Sequence, residues 1–177
     1  DTATNFVNLD DTGTAEDIEA RFDAGVGNEE ISTGTEPPGV EILAGDITED
    51  MTLTADTVWQ LSGLVVVTSG ATLTIEPGTT IIGESGTGVN TSYMIVDKDA
   101  QIIADGTAAN PIIFTSKIAH DGGAEAPGQW GGLTLIGNAA DVGVPAGGEQ
   151  VQPYEVNTDF VPGNTDAADS SGILRYV

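Results

Sequence analysis

The chain has 177 residues, which suit one compact domain and leave no room for a second large one. Asp and Glu outnumber Lys and Arg 28 to 4, and a formal net charge of -24 argues against nucleic acid and anionic membrane surfaces as partners. The sequence contains no cysteine, which excludes disulfides, zinc thiolates and thiol nucleophiles.

The first 44 residues are acidic, rich in Gly, Thr and Pro, and poor in large apolar side chains. One short helix is expected there, because Thr14 can cap it and Ile18 and Phe22 share a face at a spacing of four. The remaining apolar surface is too small to offset the entropy of ordering a packed subdomain. We therefore predict that residues 1–44 form a largely irregular N-terminal arm.

Short apolar bursts follow one another in the rest of the chain, separated in many places by Gly, Asn, Asp or Pro. They are rich in β-branched side chains, which is typical of strands joined by turns. The bursts fall at residues 53, 59–61, 65–67, 73–75, 81–82, 94–96, 102–103, 112–114, 133–136 and 173–177. None is long enough to span a membrane, which takes about 20 apolar residues. We predict an all-β domain over residues 45–177.

An internal repeat selects among all-β folds, because burst spacing alone also fits a meander of hairpins. Residues 70–79 (GATLTIEPGT) are echoed by residues 99–107 (DAQIIADGT), and their glycines Gly78 and Gly106 lie 28 residues apart. A repeated strand–turn–strand unit of this length is typical of a solenoid. The pattern predicts a parallel β-helix, in which each coil circles the axis and stacks on the one before it.

Alternation within the repeat predicts which side chains form the core. Leu73 and Ile75 point inward into aliphatic columns, while Thr72 and Thr74 point outward. Outward positions are expected to be Thr, Asp, Gln or Lys. The sequence from Glu76 to Gly78 fits a tight corner in which Pro fixes φ and Gly accepts a positive φ.

Three stretches are predicted to be loops inserted between strands: residues 83–92, 118–128 and the longest, 138–171. Long excursions in a compact fold are usually functional or mobile, so the third is the first place to expect binding.

Residues 45–177 resemble a group of secreted bacterial surface proteins, mostly uncharacterised, with a right-handed parallel β-helix of the pectin-lyase-like type. The resemblance lies in residues 70–79 (GATLTIEPGT), 110–116 (NPIIFTS), 129–138 (QWGGLTLIGN) and 171–177 (SGILRYV). It implies an extracellular or cell-surface location. No lipobox cysteine is present to support a lipid anchor.

A coil that ended at Val177 would leave unpaired strand edges and an open apolar column. Either the chain is a fragment of a longer protein or another chain covers this end. Self-association through the ends or strand edges of the β-helix is therefore expected as one mode of partnership.

Calcium is the ligand that acidic, Gly-rich loops favour, because it takes six to eight oxygen ligands. The alternative is that these acids are solvated and serve solubility alone. The sequence contains no EF-hand spacing. The candidate ligands are Asp97, Asp99 and Asp105 around one coil, and Asp159, Asp166 and Asp169 in the long excursion.

Catalysis has weak support in the residues. Lyase chemistry would need Lys117 or Arg175 as the proton acceptor, and the acidic surface would repel polyuronates. His120 is the only histidine, and no Gly-x-Ser-x-Gly nucleophile elbow occurs. Trp130 could stack on a sugar, although a large aromatic more often closes an apolar column.

The sequence thus predicts a non-catalytic structural or adhesive β-helix scaffold at the cell surface, stabilised by calcium and able to self-associate. The alternative is a carbohydrate-active module, either a solenoid that binds a surface polysaccharide or a lyase-like enzyme.

Overall fold

The computed structural model describes residues 39–86, 90–139, 157, 159–163 and 166–177. The chain divides into two units, and all of these residues lie in the second, Pro37–Val177. The predicted helix with Ile18 and Phe22 lies outside the described residues. The predicted boundary between arm and β-domain, at residues 44 and 45, falls inside the first strand.

The described residues form ten strands and one four-residue helix. No helix in this part of the chain combines the length and hydropathy that crossing a bilayer requires. The elements are β1 (Gly39–Ile47), β2 (Met51–Leu53), β3 (Thr57–Val67), β4 (Thr72–Ile75), β5 (Thr80–Gly83), β6 (Tyr93–Val96), β7 (Gln101–Asp105), β8 (Ile113–Ser116), α1 (Lys117–His120), β9 (Leu133–Leu135) and β10 (Gly172–Arg175).

Every ladder between these strands is parallel. One sheet has six strands, and the other has four in the order β10-β7-β4-β2. The all-β prediction is confirmed. A hairpin meander, the alternative that burst spacing left open, is excluded for these strands because hairpins would pair them antiparallel.

The ladders fall into three ranks, which we name by their members. Rank 1 contains residues 39–43 of β1, residues 57–61 of β3, β5 and β8. Rank 2 contains residues 45–47 of β1, residues 64–67 of β3, β6 and β9. Rank 3 contains β2, β4, β7 and β10. Following the chain through the three ranks in turn adds one strand to each.

The internal repeat predicts the strand register correctly. Aligning residues 70–79 with residues 99–107 places Leu73 beside Ile102 and Thr74 beside Ile103, and these are the pairs that β4 and β7 form. The register continues into β10, where Ile102 faces Gly172. Similar sequence recurs because it occupies the same rank in successive passes.

Inward side chains line up across the strands and form the core. In rank 3, Leu53, Ile75 and Ala104 follow one another in register and are all buried. In rank 1, Trp59 and Ile81 do the same. Each column buries aliphatic surface continuously, and this burial is the main favourable term in folding.

Outward positions differ between ranks, and this corrects the expectation that they are polar throughout. Val66 and Ile95 alternate with core residues in rank 2, yet both are buried and neither belongs to the core cluster. In rank 3 the outward Thr74 and Gln101 remain half-buried and exposed, respectively, as expected. Residues 65–67 and 94–96 are each three consecutive apolar residues, a pattern that indicates a strand buried on both faces. A prediction based only on alternation of inward and outward residues overlooks it.

Two corners show how the chain turns between ranks. Gly78 has φ of 91°, which confirms the predicted corner after Glu76. Where rank 1 passes to rank 2, Ser92 is 1% exposed and ties three passes together. Its Oγ accepts a hydrogen bond from Gly63 N at 3.1 Å, and its carbonyl oxygen accepts one from Gly131 N at 2.8 Å.

The alternation is tested by two adjacent substitutions in β4. Leu73 is fully buried, so Leu73→Ala is expected to lower the free energy of unfolding by about 2–5 kcal/mol. The control Thr74→Ala, on the outward side, is expected to cost about 1 kcal/mol or less. Urea unfolding followed by circular dichroism measures both, and equal losses would contradict the assigned faces.

Candidate functional site

The corner after β6 holds two of the predicted calcium ligands. Asp97, Lys98 and Asp99 form a turn rather than a strand, with Asp99 at φ of 61°. Asp97 Oδ1 accepts a hydrogen bond from Lys98 N at 2.8 Å. Lys98 therefore does not point into the core, and its Nζ donates to Val161 O at 3.4 Å.

Asn138 connects this corner to the long excursion. Its Nδ2 donates to Asp99 Oδ1 at 2.8 Å, and its backbone N donates to Asp169 Oδ2 at 2.9 Å. The carbonyl oxygen of Asn138 accepts from Asp166 N at 3.1 Å. One side chain and its backbone thus draw three of the six predicted ligands toward one place.

A pocket of about 270 Å³ opens at this place, and we call it the Asn138 corner pocket. Its charged lining residues are Asp99, Asp166 and Asp169. Each of the three carboxylates already accepts a hydrogen bond from one N–H group. Asp99 and Asp169 accept from Asn138, and Asp166 Oδ1 accepts from Ala168 N at 2.8 Å. Over the described ranges, no three Asp, Glu or His side chains form a group that could hold a metal ion. Donor type fits calcium, but the arrangement does not yet form a coordination shell.

The other three predicted calcium ligands, Asp97, Asp105 and Asp159, do not line this pocket. Asp159 is exposed, and its backbone N bonds to Asn157 Oδ1 at 3.1 Å. Asp105 lies opposite Arg175 in the β7–β10 ladder and forms a bidentate ion pair with it. This pair joins residues 70 positions apart in sequence.

Both cations that could act as a lyase base are held by carboxylates. Arg175 Nη2 lies 2.6 Å from Asp105 Oδ2, and the hydrogen bond with this carboxylate raises the pKa of the arginine. Lys117 Nζ lies 2.5 Å from Asp121 Oδ2, and this hydrogen bond lowers the pKa of Asp121. The pair with Asp105 favours the protonated form of Arg175, and Lys117 is held by the Asp121 carboxylate, so both contacts oppose a role in accepting a proton.

A second pocket, of about 510 Å³, lies between β8 and the loop that follows α1. Phe114 and Trp130 form its aromatic wall, with ring centroids 6.3 Å apart and planes inclined by 7°. Gln129 contributes an amide whose Oε1 accepts from Ser116 Oγ at 2.6 Å. Glu125 is the charged residue of the lining. We call this the Phe114–Trp130 pocket.

The position of Trp130 favours packing over sugar binding. The side chain is half-buried and packs against the hydrophobic core cluster. A Cβ built on Gly83 would lie 2.6 Å from Trp130 Cβ, so the absence of a side chain at Gly83 leaves the space that Trp130 fills. Trp59 is also buried, and its Nε1 donates to Thr54 O at 3.1 Å.

Sequence reasoning missed Asn138 and Gly83, each of which positions a predicted residue. Asn138 stands at the start of the predicted excursion and carried a usable signal, because Asn side chains often bond neighbouring backbone where a strand gives way to a loop. Gly83 carried none, since its partner Trp130 is remote in sequence.

A family model described as a pectate-lyase-like beta helix domain matches residues 45–177. No curated protein and no solved structure matches the chain.

The two readings of Trp130 differ in their effect on stability. If Trp130 belongs to the core, Trp130→Ala lowers the free energy of unfolding by about 2–4 kcal/mol, somewhat less than for a fully buried Trp. Trp130→Phe, the control, keeps an aromatic ring over Phe114 and is expected to recover most of the loss. Urea unfolding measures both variants, and an unchanged free energy for Trp130→Ala would restore the sugar-binding reading.

Proposed function

The chain belongs to the pectate-lyase-like β-helix family, and from this premise we propose that it acts as a non-catalytic extracellular scaffold. The observation that carries the proposal is the pairing of Lys117 with Asp121 and of Arg175 with Asp105. Lyase catalysis in this fold would need one of these cations free to accept a proton beside a carboxylate.

The distribution of the carboxylates supports the same conclusion. Glycoside hydrolysis needs two carboxylates that flank a cleft at roughly 5–10 Å. Of the residues that line the Phe114–Trp130 pocket, Glu125 alone is acidic. The carboxylates of the Asn138 corner pocket bind backbone and amide N–H groups, so their described contacts are structural.

The proposed architecture is a right-handed solenoid with loops displayed from its corners. We infer the right-handed sense because connections between parallel strands of one sheet are almost always right-handed. The loop after α1 and the described residues of the long excursion lie outside the strands, and we assign to them the contact with a partner such as a surface polysaccharide. An extracellular location is in keeping with the charge of -24, which keeps a protein soluble where salt screens its self-repulsion.

Association through strand edges forms part of the proposal. The exposed apolar residues Ile113, Leu135, Ile173 and Leu174 belong to β8, β9 and β10, which are the last of the described strands in their ranks. Unpaired edges with apolar side chains readily accept a further strand.

The second candidate function is carbohydrate binding at the Phe114–Trp130 pocket. The observation that favours it is an aromatic wall next to the amide of Gln129 and the carboxylate of Glu125, a combination suited to neutral sugars. An acidic polymer would meet Glu125 and the overall negative charge of the protein.

Catalysis is tested with a polyuronate substrate, with and without calcium. We expect no absorbance from unsaturated product for the wild-type chain, and no difference for Lys117→Ala or Arg175→Ala. A calcium-dependent product that either substitution abolishes would contradict the scaffold proposal and identify the base. Binding of neutral oligosaccharides, lost in Glu125→Ala, would support the second candidate instead.

Calcium is tested by thermal unfolding with the metal alone and with a chelator. If calcium binds at the Asn138 corner pocket, it should raise the melting temperature by about 2–6 °C, and Asp169→Asn should remove this shift. Asp121→Asn is the matched control, because it removes one carboxylate from a surface pair on another loop. Equal melting temperatures with calcium and chelator would remove calcium from the proposal and leave the scaffold untouched.

A further inference from the structure

The loop that carries Glu125 is held over the Phe114–Trp130 pocket by the side chain of Gln129. Gln129 Nε2 donates a hydrogen bond to Ala124 O at 2.7 Å, directly before Glu125. At the other end of the same amide, Gln129 Oε1 accepts from Ser116 Oγ at the end of β8. The loop is therefore fixed to the strand before a ligand arrives, and a ligand does not have to supply the free energy of ordering it.

These bonds occupy most of the polar groups that a neutral sugar would need. Ser116 Oγ also accepts from Ala119 N at 3.0 Å, and both ends of the Gln129 amide are bonded. Among the hydroxyl, amide and carboxyl side chains of the lining, only Thr115 and Glu125 have no bond from another described residue. A ring of hydroxyl groups would thus meet few free partners in this pocket.

Glu125 gives the pocket a negative charge that no described residue neutralises. Its side chain is exposed, and over the described ranges no ion pair involves it. The nearby bases Lys117 and His120 do not line the pocket, and both contact Asp121 instead. The net charge of -24 adds a field of the same sign, which attracts cations.

The aromatic wall favours a cation as well. The rings of Phe114 and Trp130 lie 6.3 Å apart and almost parallel, and the contact of Trp130 with the core cluster holds its ring in place. An aromatic face attracts a cation within about 6 Å of its centre, and it also packs against the apolar face of a sugar ring. A sugar that carries an ammonium group would use the rings and the carboxylate together.

The size of the pocket indicates that the cation is part of a larger ligand. A volume of about 510 Å³ lies in the range of pockets that take small organic molecules. A bare ammonium ion would leave most of this space empty and the apolar lining in contact with water.

We propose that the Phe114–Trp130 pocket binds an amino sugar, with the ammonium group at Glu125 and the sugar ring against the aromatic wall. The inference rests on the proposed function, in which the loop after α1 contacts a surface polysaccharide. It replaces the neutral sugar of the second candidate by a cationic one, and a polymer of such sugars would also be attracted by the charge of the whole protein.

The test is a nuclear magnetic resonance titration with two methyl glycosides that share one ring and differ in one substituent, those of glucosamine and glucose. At about pH 6 the amine is protonated. The chain has two tryptophans, so the indole N–H signal of Trp130 reports binding, while that of Trp59, which donates to Thr54 O at 3.1 Å, is the internal reference. We expect the glucosaminide to bind roughly tenfold more tightly than the glucoside, since an ion pair and a cation–π contact at an exposed site each contribute modestly.

Two matched variants locate the charge that the ligand recognises. Glu125→Gln keeps the size of the side chain and should weaken glucosaminide binding about fivefold, without changing binding of the glucoside. Glu49→Gln makes the same change at an exposed residue that does not line the pocket, and it should bind as the wild type does. Tetramethylammonium, a cation without a sugar ring, should bind more weakly than the glucosaminide.

Four results would overturn the inference: equal affinity for the two glycosides, unchanged glucosaminide binding in Glu125→Gln, a Trp130 signal that does not move, or tetramethylammonium binding as tight as that of the glucosaminide. Equal and measurable affinity for both glycosides would retain the neutral-sugar candidate while removing the amino sugar. The polyuronate assay tests the scaffold function separately, and none of these results changes its outcome.

Discussion

The parallel register is the constraint on which the rest of this structure depends. Each strand must place its inward side chains directly over those of the strand one pass earlier, as Ile102 lies over Leu73. A shift of one residue would exchange the inward and outward faces and expose the aliphatic columns. The corners must therefore restore the same register at the start of each strand, although the loops between strands differ greatly in length. Ser92 and Gly63 do this by a direct hydrogen bond between consecutive passes.

The register requirement divides the residues into two groups. Inward positions are used for packing, and functional groups are expected at the other positions. Inward positions are committed to packing, and Trp130 shows how far this extends, because even an aromatic in a loop-flanking segment fills the space over Gly83. Polar chemistry is confined to corners, edges and outward faces. There Lys117 and Arg175 are each paired with a carboxylate, most clearly where Arg175 lies opposite Asp105.

Much of the fold was readable from particular residues. The echo between residues 70–79 and 99–107 predicted the β4–β7 register residue by residue, and Gly78 marked a corner that the structure confirms. Prediction failed at Val66 and Ile95, because alternation assumes that one face of a sheet meets water and these strands are buried on both. For the site, the sequence predicted Asp99, Asp166 and Asp169 as separate candidate calcium ligands. It did not indicate that Asn138 draws them together.

The sequence by itself determined the strands, their faces and the repeat, because these depend on the alternation of neighbouring residues and on turn residues at fixed positions. Only the tertiary structure decided which distant side chains meet. Asp105 and Arg175 are 70 residues apart, and Asn138 and Asp99 are 39 apart, separations set by excursions whose lengths follow no period. A charge pattern along the chain does not predict such pairs, since each depends on how many residues are inserted between successive strands of one rank.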